Sequence, residues 1–124
     1  KDQHICVITD ARRNLVYWAV FKKVNGQLTK VVPYRLGSID QVCQEITYDV
    51  IFVGDAVKIY KSQILSQKKD KISFQFAQEK YQYPQARLMI ESVIQKFREK
   101  KTDVAENLIP IYLYPEDCQV RKNV

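Results

Sequence analysis

Asn25-Gly26 lies between two apolar runs, Leu15-Val16-Tyr17-Trp18-Ala19-Val20-Phe21 and a segment from Gln27 to Tyr34. Both central positions of a two-residue hairpin want positive φ, which Asn and Gly tolerate, so the pair predicts an antiparallel hairpin. Lys22 to Val24 can extend its first arm. Pro33 lacks an amide donor, which places it at a sheet edge or near the end of its strand. Upstream, Ile5-Cys6-Val7-Ile8 is continuously apolar, the pattern of a central strand covered on both faces. Ala11 to Asn14 supplies the turn from this strand into Leu15. The chain up to Tyr34 therefore reads as a three-stranded antiparallel meander.

The periodicity then changes. Gly37 stops the third strand, and Ser38 with Gln41 forms a capping-box pair. Ile39, Val42, Cys43 and Ile46 follow at helical spacing. Asp49 to Gly54 is a short buried strand, and Ala56 to Ser66 a second helix with Val57, Tyr60, Ile64 and Leu65 apolar. Ile72, Phe74 and Phe76 alternate with polar residues, as in a fifth strand. Pro84 opens the most amphipathic helix, with Ala86, Met89, Ile90, Val93, Ile94 and Phe97 on one face, closed by Lys100 and Lys101. The apolar tail Leu108 to Pro115 is expected to be extended and to pack back on the domain. The order β-β-β-α-β-α-β-α predicts an α/β domain with a mixed five-stranded sheet flanked by helices, the order of a ribonuclease-H-like or actin-like lobe.

At 124 residues, with 46% apolar and 27% charged, the chain reads as one globular domain spanning residues 1–124. No stretch approaches the ~20 consecutive apolar residues of a membrane-spanning helix. The net charge of +6 allows an anionic partner, yet the basic residues look scattered, with small groups at Lys68, Lys69, Lys71 and at Lys96, Arg98, Lys100, Lys101. Cys6, Cys43 and Cys118 are odd in number and widely spaced, so they read as reduced thiols, which suits a cytoplasmic protein. His4, the single histidine, precedes the first strand with no ligand partner at metal spacing. Lys1 leads almost at once into a core strand, the start expected of a lobe cut from a longer chain.

Three carboxylates are candidates for two-metal chemistry: Asp10 after strand one, Glu45 on helix one and Asp55 after strand four. Converging on two ions, they would make a metal-dependent nuclease. The competing reading makes Asp10 a turn starter and Asp55 the N-cap of the next helix. The first hairpin lacks glycine, so close backbone approach to a phosphate is disfavoured. There is no P-loop, no G-x-G-x-x-G and no G-x-S-x-G. Tyr17 and Trp18 alternate on strand two, so one faces in and one out, with Trp18 read as core. Arg12 and Arg13 sit on the turn as candidate grips for a carboxylate or phosphate.

Ile8 to Phe21, ITDARRNLVYWAVF, resembles the I-D-A-R-x-x-E-V-Y-W-A-x-Y segment of the TsaB (YeaZ) family, carried here by Asp10, Tyr17 and Trp18. Gly54-Asp55 resembles that family's glycine after strand four. Pro84 and Ala86 match its P-x-A helix start, and Ala105 to Leu113, with Pro110 and Tyr112, its A-x-x-L-x-P-x-Y-L tail. Asn14-Leu15 and the Tyr-Leu-Tyr tail depart from the pattern. These motifs all belong to the second of the family's two actin-like lobes, so the resemblance implies a C-terminal lobe without its N-terminal one. It further implies a non-catalytic chain, with no cofactor and no metal, that supports a TsaD-like transferase together with a TsaE-like ATPase. That complex places a threonylcarbamoyl group on the adenosine N6 of tRNAs reading ANN codons. As partners it implies those two proteins, tRNA through the complex, and a second copy of the chain. TsaD pairing and homodimerisation use mainly the N-terminal lobe in that family. Arg12 and Arg13 are the residues expected to touch a partner or RNA.

Overall fold

A computed structural model describes residues 3–115. Contacts divide the chain into two compact units, Lys1–Tyr83 and Pro84–Val124.

The first unit is a mixed five-stranded sheet with two helices. Strands β1 (Gln3–Asp10), β2 (Val16–Val24) and β3 (Gln27–Gly37) form the expected meander, followed by α1 (Ile39–Glu45), β4 (Val50–Val53), α2 (Ala56–Ser66) and β5 (Phe74–Phe76). The sheet order is β3-β2-β1-β4-β5. The β1–β2 and β2–β3 pairs are antiparallel, and β1–β4 and β4–β5 are parallel. The element order and mixed sheet are those of a ribonuclease-H-like, actin-type lobe.

Local chemistry explains each element. Asn25 and Gly26 take φ of 50° and 81°, the positive values the two-residue hairpin requires, and Val24 pairs with Gln27 across them. β3 runs past Pro33 to Gly37, further than its sequence predicts. It can do so because it is an edge strand, and its pairing slips between Lys30 and Val32 and again between Val32 and Arg35, so that Pro33 falls in an irregular stretch of the ladder. Ser38 caps α1 as expected: its Oγ accepts from the Gln41 amide at 3.3 Å, and Gln41 Oε1 accepts from the Ser38 amide at 2.9 Å. At the other end of this short helix the Lys69 ammonium donates to the Gln44 and Ile46 carbonyls at 3.2 and 3.0 Å. His4 lies within β1, rather than before it, with its ring 4.1 Å from that of Tyr48.

The core occupies one face of the sheet. Cys6 and Ile8 of β1, Val16, Trp18 and Val20 of β2, and Phe52 of β4 meet Ile39, Val42 and Cys43 of α1 and Ala56, Val57, Tyr60 and Ile64 of α2. Burying each large side chain contributes about 1.5–3 kcal/mol. Phe52 also holds Phe74 edge-on at 5.4 Å between ring centroids. Along β1, Cys6 and Ile8 are fully buried on this face, and Ile5 and Val7 on the other are partly buried.

Among its described residues the second unit contains α3 (Ala86–Arg98) and a 3-10 turn at Ala105–Asn107. Lys100 at φ 56° ends α3, and the Lys101 amide reaches back to the Lys96 carbonyl at 2.9 Å. The apolar face predicted for α3 exists, but none of its residues is buried; Val93 and Phe97 are 63% and 71% exposed. In the tail, Ile109 and Tyr112 are 80% and 84% exposed. One helix and an extended segment interrupted by Pro110 cannot close a core by themselves. Cys118 lies outside the described residues.

Candidate functional site

Parallel strands β1 and β4 are neighbours, so their carboxyl ends lie side by side, which is where open α/β sheets bind ligands. The ends carry Asp10, the turn Ala11–Leu15, Gly54 and Asp55, with α2 starting immediately after. Two of the three candidate carboxylates therefore belong to one corner.

Asp10 behaves as a turn starter. Its Oδ1 accepts from the Arg12 amide at 2.9 Å, and its Oδ2 lies 3.5 Å from the Arg12 guanidinium. The loop is closed by Ala11 N–H to Leu15 O at 3.0 Å and Leu15 N–H to Arg12 O at 2.9 Å. Arg12, Arg13 and Asn14 all have positive φ, 64°, 53° and 60°. Three successive left-handed residues without a glycine cost of order 1 kcal/mol or more each. The side chains of Arg12 and Arg13 are exposed, as a contact role for them requires.

Asp55 departs from expectation. It occupies the N-cap position of α2, but its side chain makes no capping bond. Its backbone is already helical, at φ −65° and ψ −29°, not the extended conformation from which an N-cap side chain reaches the next amides. Oδ1 instead accepts from the Asp10 amide at 3.1 Å, tying β1 to the start of α2 across 45 residues of chain.

Gly54 makes this tie possible. Its φ is 121°, and a Cβ added there would sit 2.0 Å from the Ile8 carbonyl oxygen. The close backbone approach that glycine permits is thus taken by β1 itself, and not left open for a phosphate.

Glu45 does not join the corner. It ends α1 and forms an ion pair with Arg35 of β3, whose guanidinium lies 5.6 Å from the Trp18 ring. Among the described residues, no group of three or more His, Cys, Asp or Glu could hold a metal ion. Asp10 and Asp55 are brought together; the third ligand is not.

The other singled-out residues are placed as follows. Trp18 is 4% exposed, in the core as predicted, and Tyr17 on the opposite face of β2 is half-buried. Pro84 and Ala86 are exposed at the start of α3, and Pro110 and Tyr112 are exposed in the tail. The sequence reading passed over the lysines of α2, a helix with no carboxylate anywhere along it; charge counted segment by segment exposes them.

No protein-family model matches the chain, and no curated protein sequence matches it. Among solved structures it is similar to a crystal structure described as "an uncharacterized protein with similarity to peptidase YEAZ from Pseudomonas aeruginosa". The TM-score is 0.61 at 15% identity, over 90% of this chain. The chain spans about half the neighbour's length, 50%. At that identity the likeness is one of fold. No helix among the described residues is long and apolar enough to cross a membrane.

Proposed function

We propose that this chain is a non-catalytic lobe of a TsaB-like subunit. It acts in N6-threonylcarbamoylation of tRNA adenosine by supporting a TsaD-like transferase with a TsaE-like ATPase. The carrying observation is the fold likeness to the YeaZ-like neighbour over 90% of this chain and half of that one. The proportion is what one lobe of a two-lobe protein would give.

The corner supports a supporting rather than a reacting role. Both Asp10 oxygens are engaged by Arg12, and Asp55 Oδ1 by the Asp10 amide, so these carboxylates hold the backbone. The loop at the phosphate position carries arginines and no glycine, and Gly54 is filled against Ile8. An actin-like lobe that had kept nucleotide chemistry would leave that approach open.

The test is reconstitution with transferase and ATPase partners from the same cell. Co-purification, and threonylcarbamoyl-adenosine formation that depends on this chain, are expected. Failure of the full-length protein containing this chain to co-purify with either partner would overturn the reading. A nuclease reading is favoured by one observation, the contact of Asp10 with Asp55. It predicts site-specific NMR shifts at Asp10, Glu45 and Asp55 on adding Mn²⁺ or Mg²⁺, together with duplex cleavage. The pairing of Glu45 with Arg35 argues against it.

A further inference from the structure

Basic surplus falls in separate stretches of the chain: Arg12 to Arg35 carries six basic residues and no acidic one, and a second surplus lies on a helix and its exit. Between Lys58 and Lys71 there are five lysines, at 58, 61, 68, 69 and 71, and one acidic residue, Asp70, a surplus of four out of a total of +6. That span is α2 and the loop that leaves it.

The phase of α2 is fixed by its core contacts. Ala56, Val57, Tyr60 and Ile64 are buried, which turns Lys58 and Lys61 to solvent one helical turn apart, about 5 Å along the axis. Lys68 and Lys71 follow, also exposed. Lys69 is set aside, since it caps α1. None of the ion pairs among the described residues involves Lys58, Lys61, Lys68 or Lys71. The Lys61 ammonium lies 5.2 Å from the Phe76 ring. Asp40, on the flank of α2, is taken up by Gln63 and Gln67. By contrast three other carboxylates of the first unit are engaged locally: Asp10 by Arg12, Glu45 by Arg35, and Asp49 by the Ser73 amide.

From this arrangement we infer that the outward face of α2 and its exit loop form a contact surface for the phosphate backbone of RNA. The inference rests on the tRNA reading above and locates the contact at Lys58, Lys61, Lys68 and Lys71, away from the Arg12–Arg13 turn. Two unpaired lysines on a helix locked against a core, followed by two more on its exit loop, present positive charge to solvent, and release counterions when phosphates replace them. It carries no base-reading geometry, so binding is insensitive to sequence. A lipid surface fits less well. The apolar face of α2 is inside the protein, leaving only Ile59 and Leu65 exposed among the lysines, too little for an inserted amphipathic helix.

The experiment measures filter binding of the full chain to an unmodified tRNA transcript that reads an ANN codon, from about 50 to about 200 mM salt. Four phosphate contacts predict that affinity falls by roughly 10²-fold across that range. In the Lys58→Gln, Lys61→Gln, Lys68→Gln, Lys71→Gln variant, the slope of log affinity against log salt flattens by about 3 to 4. The Lys22→Gln, Lys23→Gln, Lys30→Gln control keeps the wild-type slope. The four substituted residues are exposed, so the thermal midpoint is expected to stay unchanged. Independently of any variant, acetylation of wild-type Lys58, Lys61, Lys68 and Lys71 slows when tRNA is present.

The inference is overturned by absent tRNA binding at about 50 mM salt, by an unchanged slope in the four-lysine variant, or by equal loss in the control. Lysine-dependent binding to phosphatidylserine vesicles without tRNA binding overturns it in favour of a membrane. Co-purification with the transferase partner is scored separately on the same proteins. Loss of that, with tRNA binding intact, sinks the proposed function and leaves this surface standing as an RNA contact.

Discussion

Gly54→Ala is the substitution on which the geometry of the first unit makes its strongest demand. Two costs arise together. At φ 121° a side chain is strained, worth about 1–3 kcal/mol. The added Cβ would also meet Ile8 O at 2.0 Å and Ile8 C at 2.9 Å, both backbone atoms, so one strand must move by an ångström or more. That movement pulls at the Val7–Val53 end of the β1–β4 ladder and at the Asp10 amide bond to Asp55. A hydrogen bond to a charged acceptor is worth about 1.5–3 kcal/mol. The total expected loss is roughly 3–6 kcal/mol, a large part of the ~5–15 kcal/mol available to a domain. Gly26→Ala is the matched control. Its φ is 81° and nothing lies within 4 Å of the new Cβ, so only strain remains, about 1 kcal/mol. Urea unfolding followed by the fluorescence of Trp18, the one tryptophan and a core residue, reads both. With a slope near 1 kcal/mol/M, the midpoint falls by about 1 M for Gly26→Ala and by about 3 M or more for Gly54→Ala. Equal shifts for the two variants would refute the claim that Gly54 is required by the Ile8 carbonyl.

Three further outcomes are expected. Asp55→Asn keeps an acceptor for the Asp10 amide and costs under ~1 kcal/mol, whereas Asp55→Ala leaves that amide unpaired and costs about 1–3 kcal/mol in the same urea assay. Lys69→Met leaves the Gln44 and Ile46 carbonyls of α1 without their cation and lowers stability by about 1–2 kcal/mol, read as a lower thermal midpoint. Burial, reinforced by the Asp40 carboxylate, pushes the Cys43 thiol from its ordinary 9.0 up to about 11, and burial pushes Cys6 higher still. The folded state thus holds these protons more tightly, so their stabilisation is complete below pH 9.0 and is lost as pH rises through about 11. The wild-type urea midpoint therefore falls across that window, and Cys43→Ala falls less steeply.

What was legible in the sequence was whatever a few neighbouring residues decide. Asn25-Gly26 closes its hairpin because two positive φ values are all it needs. Ser38 and Gln41 cap α1 because each reaches the other's amide within one turn. α2 begins and ends where predicted, since its apolar spacing and flanking residues are local. Asp55 holds the N-cap position the sequence gives it, but the choice of its side chain between its own helix and the Asp10 amide depends on a parallel strand 45 residues away in the chain. Of the two places the sequence offers Pro33, a sheet edge and a strand end, the sheet order selects the edge. For α3, periodicity showed that a face is apolar but not that it is buried.

The same division separates the two candidate surfaces. The resemblance led to the turn at Arg12 and Arg13, where the constraint is on the backbone: three left-handed residues, a glycine pressed on a carbonyl, and an aspartate on each strand end holding an amide. Asp10 there pairs with Arg12, and Asp55 accepts from the Asp10 amide. Along α2 the backbone is ordinary and the charge is unspent, because a helix fixed by four buried residues cannot turn its lysines toward the carboxylates that would neutralise them. Total charge could not distinguish these situations. Helix phase could, since the buried residues Ala56, Val57, Tyr60 and Ile64 dictate which way Lys58 and Lys61 point. If both surfaces serve one complex, they divide the work: the corner sets the shape of the lobe, and the α2 ridge attracts phosphate at a rate and affinity that fall with salt.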